Sequence, residues 1–139
     1  MNKDFVPYEQ SRKLSELGFN ELCIKQYSHD GWLTFTVNDW GQPRPETGHE
    51  IRLASAGLQI AAPTFAQAFR WFREKYNLHS EILLDQTTQP KYCFEIHKYE
   101  NFGNYEEIRI GEWFLYRTFE EAELACLVKL IEIVENEKV

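Results

Sequence analysis

An α+β domain with a mainly antiparallel sheet is what this 139-residue chain predicts, and three observations predict it. Two segments carry helix-start signals followed by apolar residues at spacings of three and four. Between them lies a run of strict alternation, the mark of a half-buried antiparallel strand. Ahead of both, two aromatic and β-branched runs flank a turn. The expected arrangement is a single domain over 1–139. Residues 1–60 form an N-terminal helix plus a hairpin extension, and 61–139 form the core with its helices on one face of the sheet.

The chain is organised around Ala61–Ile82. Thr64 is a good N-cap and Gln67 completes a Thr-x-x-Gln capping box, with Pro63 just ahead of the helix. Phe65, Ala68, Phe69, Phe72 and Tyr76 then share one face, which reads as a core seam against a sheet. Trp71 falls to the side of that stripe, so the core's edge is its expected place. At the N-terminus, Pro7 sits at the tolerated first helical position ahead of Tyr8–Leu17. Gly18 and Phe19 provide a Schellman stop. Glu21–Tyr27 and Trp32–Val37 pair around the turn Ser28–Gly31, and a weaker third strand is expected within Glu50–Ile60.

Beyond the central helix, Glu81–Leu84 is a short extended stretch and Asp85–Pro90 a turn. Tyr92–Lys98 alternates, with Tyr92, Phe94 and Ile96 to one side and Cys93, Glu95 and His97 to the other. Ile108–Tyr116 supplies a further strand with Gly111 as a bulge. Thr118 opens the last helix with Glu121 in a second capping box, and its buried face runs Ala122, Cys126, Leu130 and Ile133, widened by Leu127, Ile131 and Val134. So apolar a helix can meet a second copy as well as the sheet.

Charge excludes one class of function. The net charge is −7, with −2 before Thr64 and −5 from it onward. Non-specific nucleic-acid affinity comes largely from Lys and Arg neutralising phosphates, so no nucleic-acid partner is expected. Three widely separated cysteines (Cys23, Cys93, Cys126) argue against a disulfide framework and for a reducing, cytoplasmic setting. No apolar run is long enough to span a bilayer, so no membrane role is expected.

Motifs that carry chemistry are missing. The four histidines, His29, His49, His79 and His97, lie in four segments without zinc spacing, so neither a metal nor a cofactor is expected. Cys93 and His97 share a strand face but stand roughly 13 Å apart at about 3.3 Å per residue. No nucleophile elbow or phosphate loop occurs. Catalytic residues are therefore not assigned. A site assembled from distant residues would draw first on His79 with Glu95 or His97. The loop Asn38–His49, with Trp40 and Arg44 between prolines and glycines, is the candidate binding tip, because Trp and Arg are enriched at hot spots.

From Thr64 on, the expected order α-β-β-β-α is also that of double-stranded-RNA-binding domains. The stretch that would carry their lysines reads TFEEAELA here and is acidic, so only topology is shared. Ala62–Glu74, Asn77–Ile82 and Thr118–Ile131 together resemble an uncharacterised family of small proteins common in gut bacteria and in their phages and mobile elements. That resemblance implies no activity and no functional residue. The leading expectation is a non-catalytic protein that binds another protein or itself, the latter through the final helix. The alternatives are an acidic decoy of a nucleic-acid-binding protein, and a small-ligand binder or enzyme with a pocket between sheet and central helix.

Overall fold

The computed structural model describes residues 3–28, 31–35, 60–85, 91–99, 105–108 and 115–137. The chain forms two compact units, Met1–Thr64 and Phe65–Val139. In order, the elements are α1 (Tyr8–Glu16), β1 (Lys25–Tyr27), β2 (Leu33–Phe35), β3 (Ile60–Ala62), α2 (Phe65–Tyr76), β4 (Leu78–Asp85), β5 (Lys91–Tyr99), β6 (Tyr105–Ile108) and α3 (Phe119–Glu137). All pairings are antiparallel, and the class is α+β. The strands make two sheets, ordered β2-β1-β3 and β4-β5-β6. The N-terminal hairpin thus builds its own sheet with β3 and does not extend the second one.

In the first unit Pro7 is the N-cap of α1, one position before the expected one. Its ψ of 159° is extended, and its carbonyl accepts the first helical bond from Ser11 N–H at 2.9 Å. The other end behaves as the sequence predicts. Gly18 has φ +101°, Phe19 N–H reaches Leu14 O at 2.9 Å, and Gly18 N–H reaches Ser15 O at 3.1 Å. These two bonds are the Schellman pattern, and a side chain at Gly18 would be strained in that left-handed conformation. Leu14 and Phe19 are both buried.

The paired part of the hairpin is shorter than expected, since Glu21–Ile24 stays outside the strand. Ser28 N–H bonds Trp32 O at 2.9 Å and closes it. Sheet and helix are joined by directed bonds. The Tyr27 hydroxyl donates to Val6 O at 2.7 Å, the buried Ser11 hydroxyl donates to the same oxygen at 3.1 Å, and Val6 N–H donates to Pro63 O at 2.9 Å. Lys25 Nζ lies 4.7 Å from the Phe5 ring centre and 4.5 Å from that of Phe35. The third strand expected in Glu50–Ile60 falls mostly outside the described residues, and β3 begins at its last residue.

In the second unit, α2 follows Thr64 directly and buries Phe65, Ala68, Trp71 and Phe72. Trp71 is therefore in the core and not at its edge. Its ring packs edge-on against Phe72 at 5.1 Å and Tyr76 at 5.4 Å, while Lys75 Nζ lies 4.9 Å over it. α2 packs against both β4 and α3. Asn77, with φ +56°, ends the helix in the left-handed region, where asparagine is tolerated. The strand starts at once with Leu78, three residues before the expected Glu81.

β4 and β5 pair from Leu78↔Lys98 to Asp85↔Lys91. Opposed residues share a face, so Leu78, Ser80 and Ile82 lie with Ile96 and Phe94. On that face Ser80 hydrogen-bonds the Cys126 thiol, and Lys98 Nζ contacts Glu137 Oε1 at 2.6 Å, which locates α3 there. β6 starts at Tyr105, earlier than expected, and Gly111 lies outside the described residues. Tyr116 makes an isolated bridge to Tyr92, on the same edge of β5 as β6. The α3 cap is as read: Glu121 N–H donates to Thr118 Oγ1 at 3.1 Å, although Glu121 Oε2 accepts from Arg117 N–H at 3.3 Å and not from Thr118. Ala122, Cys126, Leu127, Leu130, Ile131 and Val134 are buried, each aliphatic chain stabilising by about 1.5–3 kcal/mol. Ile133 is half-buried, at the margin of the face it was expected to join.

Candidate functional site

The face of β4 and β5 away from Phe94 and Ile96 carries the groups with chemistry. By register it holds His79 opposite His97, Glu81 opposite Glu95, and Leu83 opposite Cys93. His97 Nε2 lies 3.2 Å from Glu95 Oε2, with side chains 18% and 29% exposed, so this pair is partly shielded from water. The His79 ring meets the Tyr99 ring edge-on, with centroids 4.9 Å apart and planes at 86°. A depression of about 380 Å³ is lined by His79, Ser80, Glu81, His97 and Tyr99. It lies mainly on this polar face, whereas the sequence reading placed a pocket between the sheet and the central helix.

The juxtaposition of His79, Glu95 and His97, first among the residues the sequence singled out, follows from the β4–β5 register. That register opposes residues equidistant from the midpoint between Asp85 and Lys91, and His79 and His97 are such a pair. Their separation in sequence hides them from any spacing motif.

The cysteines are poor nucleophiles. Burial, aided by the Glu21 charge, pushes the Cys23 thiol up to about 12. Burial also pushes Cys126 up to about 12, with Glu123 adding to the rise and the Ser80 hydrogen bond opposing it. Cys93 is raised by burial, then by Asp85 and Glu95. The thiolate is the reactive form, so all three stay protonated at neutral pH. Among the described residues no three His, Cys, Asp or Glu side chains are gathered to hold a metal ion, and no helix is long and apolar enough to cross a membrane.

Trp40 and Arg44, the sequence-chosen binding residues, lie outside the described residues. A second surface is visible on the hairpin. Trp32 is 74% exposed, Ile24 54% and Leu22 96%. Trp32 is opposite Ser28, next to the last paired residues Tyr27 and Leu33, while Leu22 and Ile24 lie just ahead of β1. The sequence reading took Trp32 and Ile24 only as strand formers. Their exposure could not be read from composition, because aromatic and β-branched residues favour strands whether the face is covered or open. No family model matches the chain, and no curated protein or solved structure matches it. The resemblance to small proteins of gut bacteria and their phages rests on its motifs alone.

Proposed function

We propose that this protein works by binding another protein and performs no chemistry of its own, as an accessory protein of a phage or mobile element. The observation that carries the reading is the exposed Trp32, with Ile24 and Leu22 also exposed in the same unit. Tryptophan combines a large apolar area with few rotatable bonds, and it dominates contact energies when a partner desolvates it. That Cys23, Cys93 and Cys126 are in no disulfide supports a cytoplasmic setting. The partner is a different protein or a second copy, and for a second copy α3 offers the exposed Val128.

Affinity capture with the full chain as bait tests the reading. Partners recovered by the wild type should be lost with Trp32→Ala, or with Trp40→Ala and Arg44→Ala if the loop is the contact. Identical recovery by all variants would sink it. Recovery that collapses between low and high salt would favour the acidic decoy, since the −7 charge attracts basic proteins through screened forces. Sedimentation of wild type and Val128→Asp tests the self-association arm: a dimer that persists in the variant excludes α3 as its interface. A second reading, a small-ligand binder, is favoured by the depression beside His79 and His97.

A further inference from the structure

We propose that His79 and His97 form a two-imidazole site for a borderline divalent transition-metal ion of the nickel, zinc or copper type. The inference goes beyond the protein-binding reading and does not depend on it. It rests on the β4–β5 register, which sets the two histidines directly opposite each other on one face. Directly opposed residues of an antiparallel pair have Cβ atoms about 4.5–5.5 Å apart. Two imidazoles rooted at that separation reach one ion at the usual metal–nitrogen distance of about 2.0–2.1 Å without moving the backbone.

The surroundings fit this chemistry. Glu95 Oε2 is 3.2 Å from His97 Nε2, the carboxylate–histidine pairing that orients a ligating ring and raises its basicity. The Tyr99 ring edge-stacks on His79 and limits its rotation. Glu81 lines the same depression and adds negative charge next to the ion. Among the described residues no third group is gathered around a common point, so they supply two nitrogens and water fills the remaining positions. The volume of about 380 Å³ leaves room for that water. Nitrogen ligands select borderline ions over calcium or magnesium, which take oxygen. Cys93 shares the strand with His97, but at four residues it is too far to join.

Calorimetry of the full, metal-free chain with nickel(II) and with zinc(II) tests the site. One ion per chain is expected at pH 7.5. Binding should weaken as pH falls from 7.5 to 5.5, because a ligating nitrogen must be free of its proton and protons compete with the metal. His79→Phe keeps an aromatic ring against Tyr99, and His97→Gln keeps a polar side chain. Each should weaken binding by more than about tenfold, and Glu95→Gln by a factor toward the low end of the roughly 10–100-fold typical of lost outer partners. The variant lacking the other two imidazoles, His29→Ala with His49→Ala, should bind as the wild type does. Far-UV circular dichroism confirms that each variant is folded. Absence of binding heat in the wild type overturns the proposal. So does binding that survives in folded His79→Phe and His97→Gln, or binding that disappears with His29 and His49.

Discussion

The two units solve the same problem with different forces. Phe65–Val139 relies on long β4 and β5 strands and on an apolar seam formed by Phe72, Leu78, Phe94, Ile96, Leu127 and Leu130. Among the described residues, Met1–Thr64 has three strands of three residues each, and these short strands supply few ladder bonds. It compensates with polar groups aimed at one place: Ser11 and Tyr27 both donate to Val6 O, and the Lys25 ammonium lies over two rings. Packing tolerates small shifts in position, whereas a convergent hydrogen-bond node needs every member. The first unit is therefore expected to be the more sensitive to single polar deletions and the second to single apolar ones.

The largest expected effect comes from opening the second unit's seam. Phe72→Ala removes a fully buried ring and should cost about 3–5 kcal/mol in urea unfolding. Alkaline titration comes next and addresses both units together. Cys23 and Cys126 are held up to about 12 against an ordinary 9.0. Between those values the unfolded chain loses thiol protons that the folded chain keeps, so this contribution is complete below pH 9 and fades as pH rises toward 12. Replacing Cys126 by alanine should flatten that part of the profile, and an unchanged slope would remove the thiol as its cause. Tyr27→Phe, a deletion in the polar node, should cost about 1–3 kcal/mol. Native-state hydrogen exchange should show the loss at β1 and α1 amides, and a uniform loss over both units would break the contrast drawn between them. Gly18→Ala, which forces a side chain into φ +101°, should cost about 1–2 kcal/mol. The smallest effect is expected for Lys98→Met, because the partly exposed Lys98–Glu137 pair contributes at most about 1 kcal/mol, less in high salt.

Element ends were the most legible feature of the sequence, because they are local. Gly18-Phe19 and Thr118-x-x-Glu121 specify bonds spanning only a few residues, and those bonds form. The alternation of Tyr92–Lys98 likewise needs only the pleat, and Phe94 and Ile96 are buried as read. Longer-range features were less legible. Nothing in Glu21–Val37 states that its hairpin pairs with Ile60–Ala62 and stays out of the β4–β5 sheet. Trp71 was misjudged because helical spacing places it beside the apolar stripe, and burial at that flank is decided by tertiary packing and not by the helix's own pattern. At the candidate site, the individual histidines were visible but their opposition was a consequence of register.

Asn77 leaves only a single residue between the last helical residue, Tyr76, and the first strand residue, Leu78. A strand's sidedness alternates with every residue, so this junction acts as a parity lock. One residue added or removed there would turn Leu78, Ser80 and Ile82 outward and bring His79 and Glu81 against the helices. Length variants that keep the fold should therefore change this connection by even steps, or not at all.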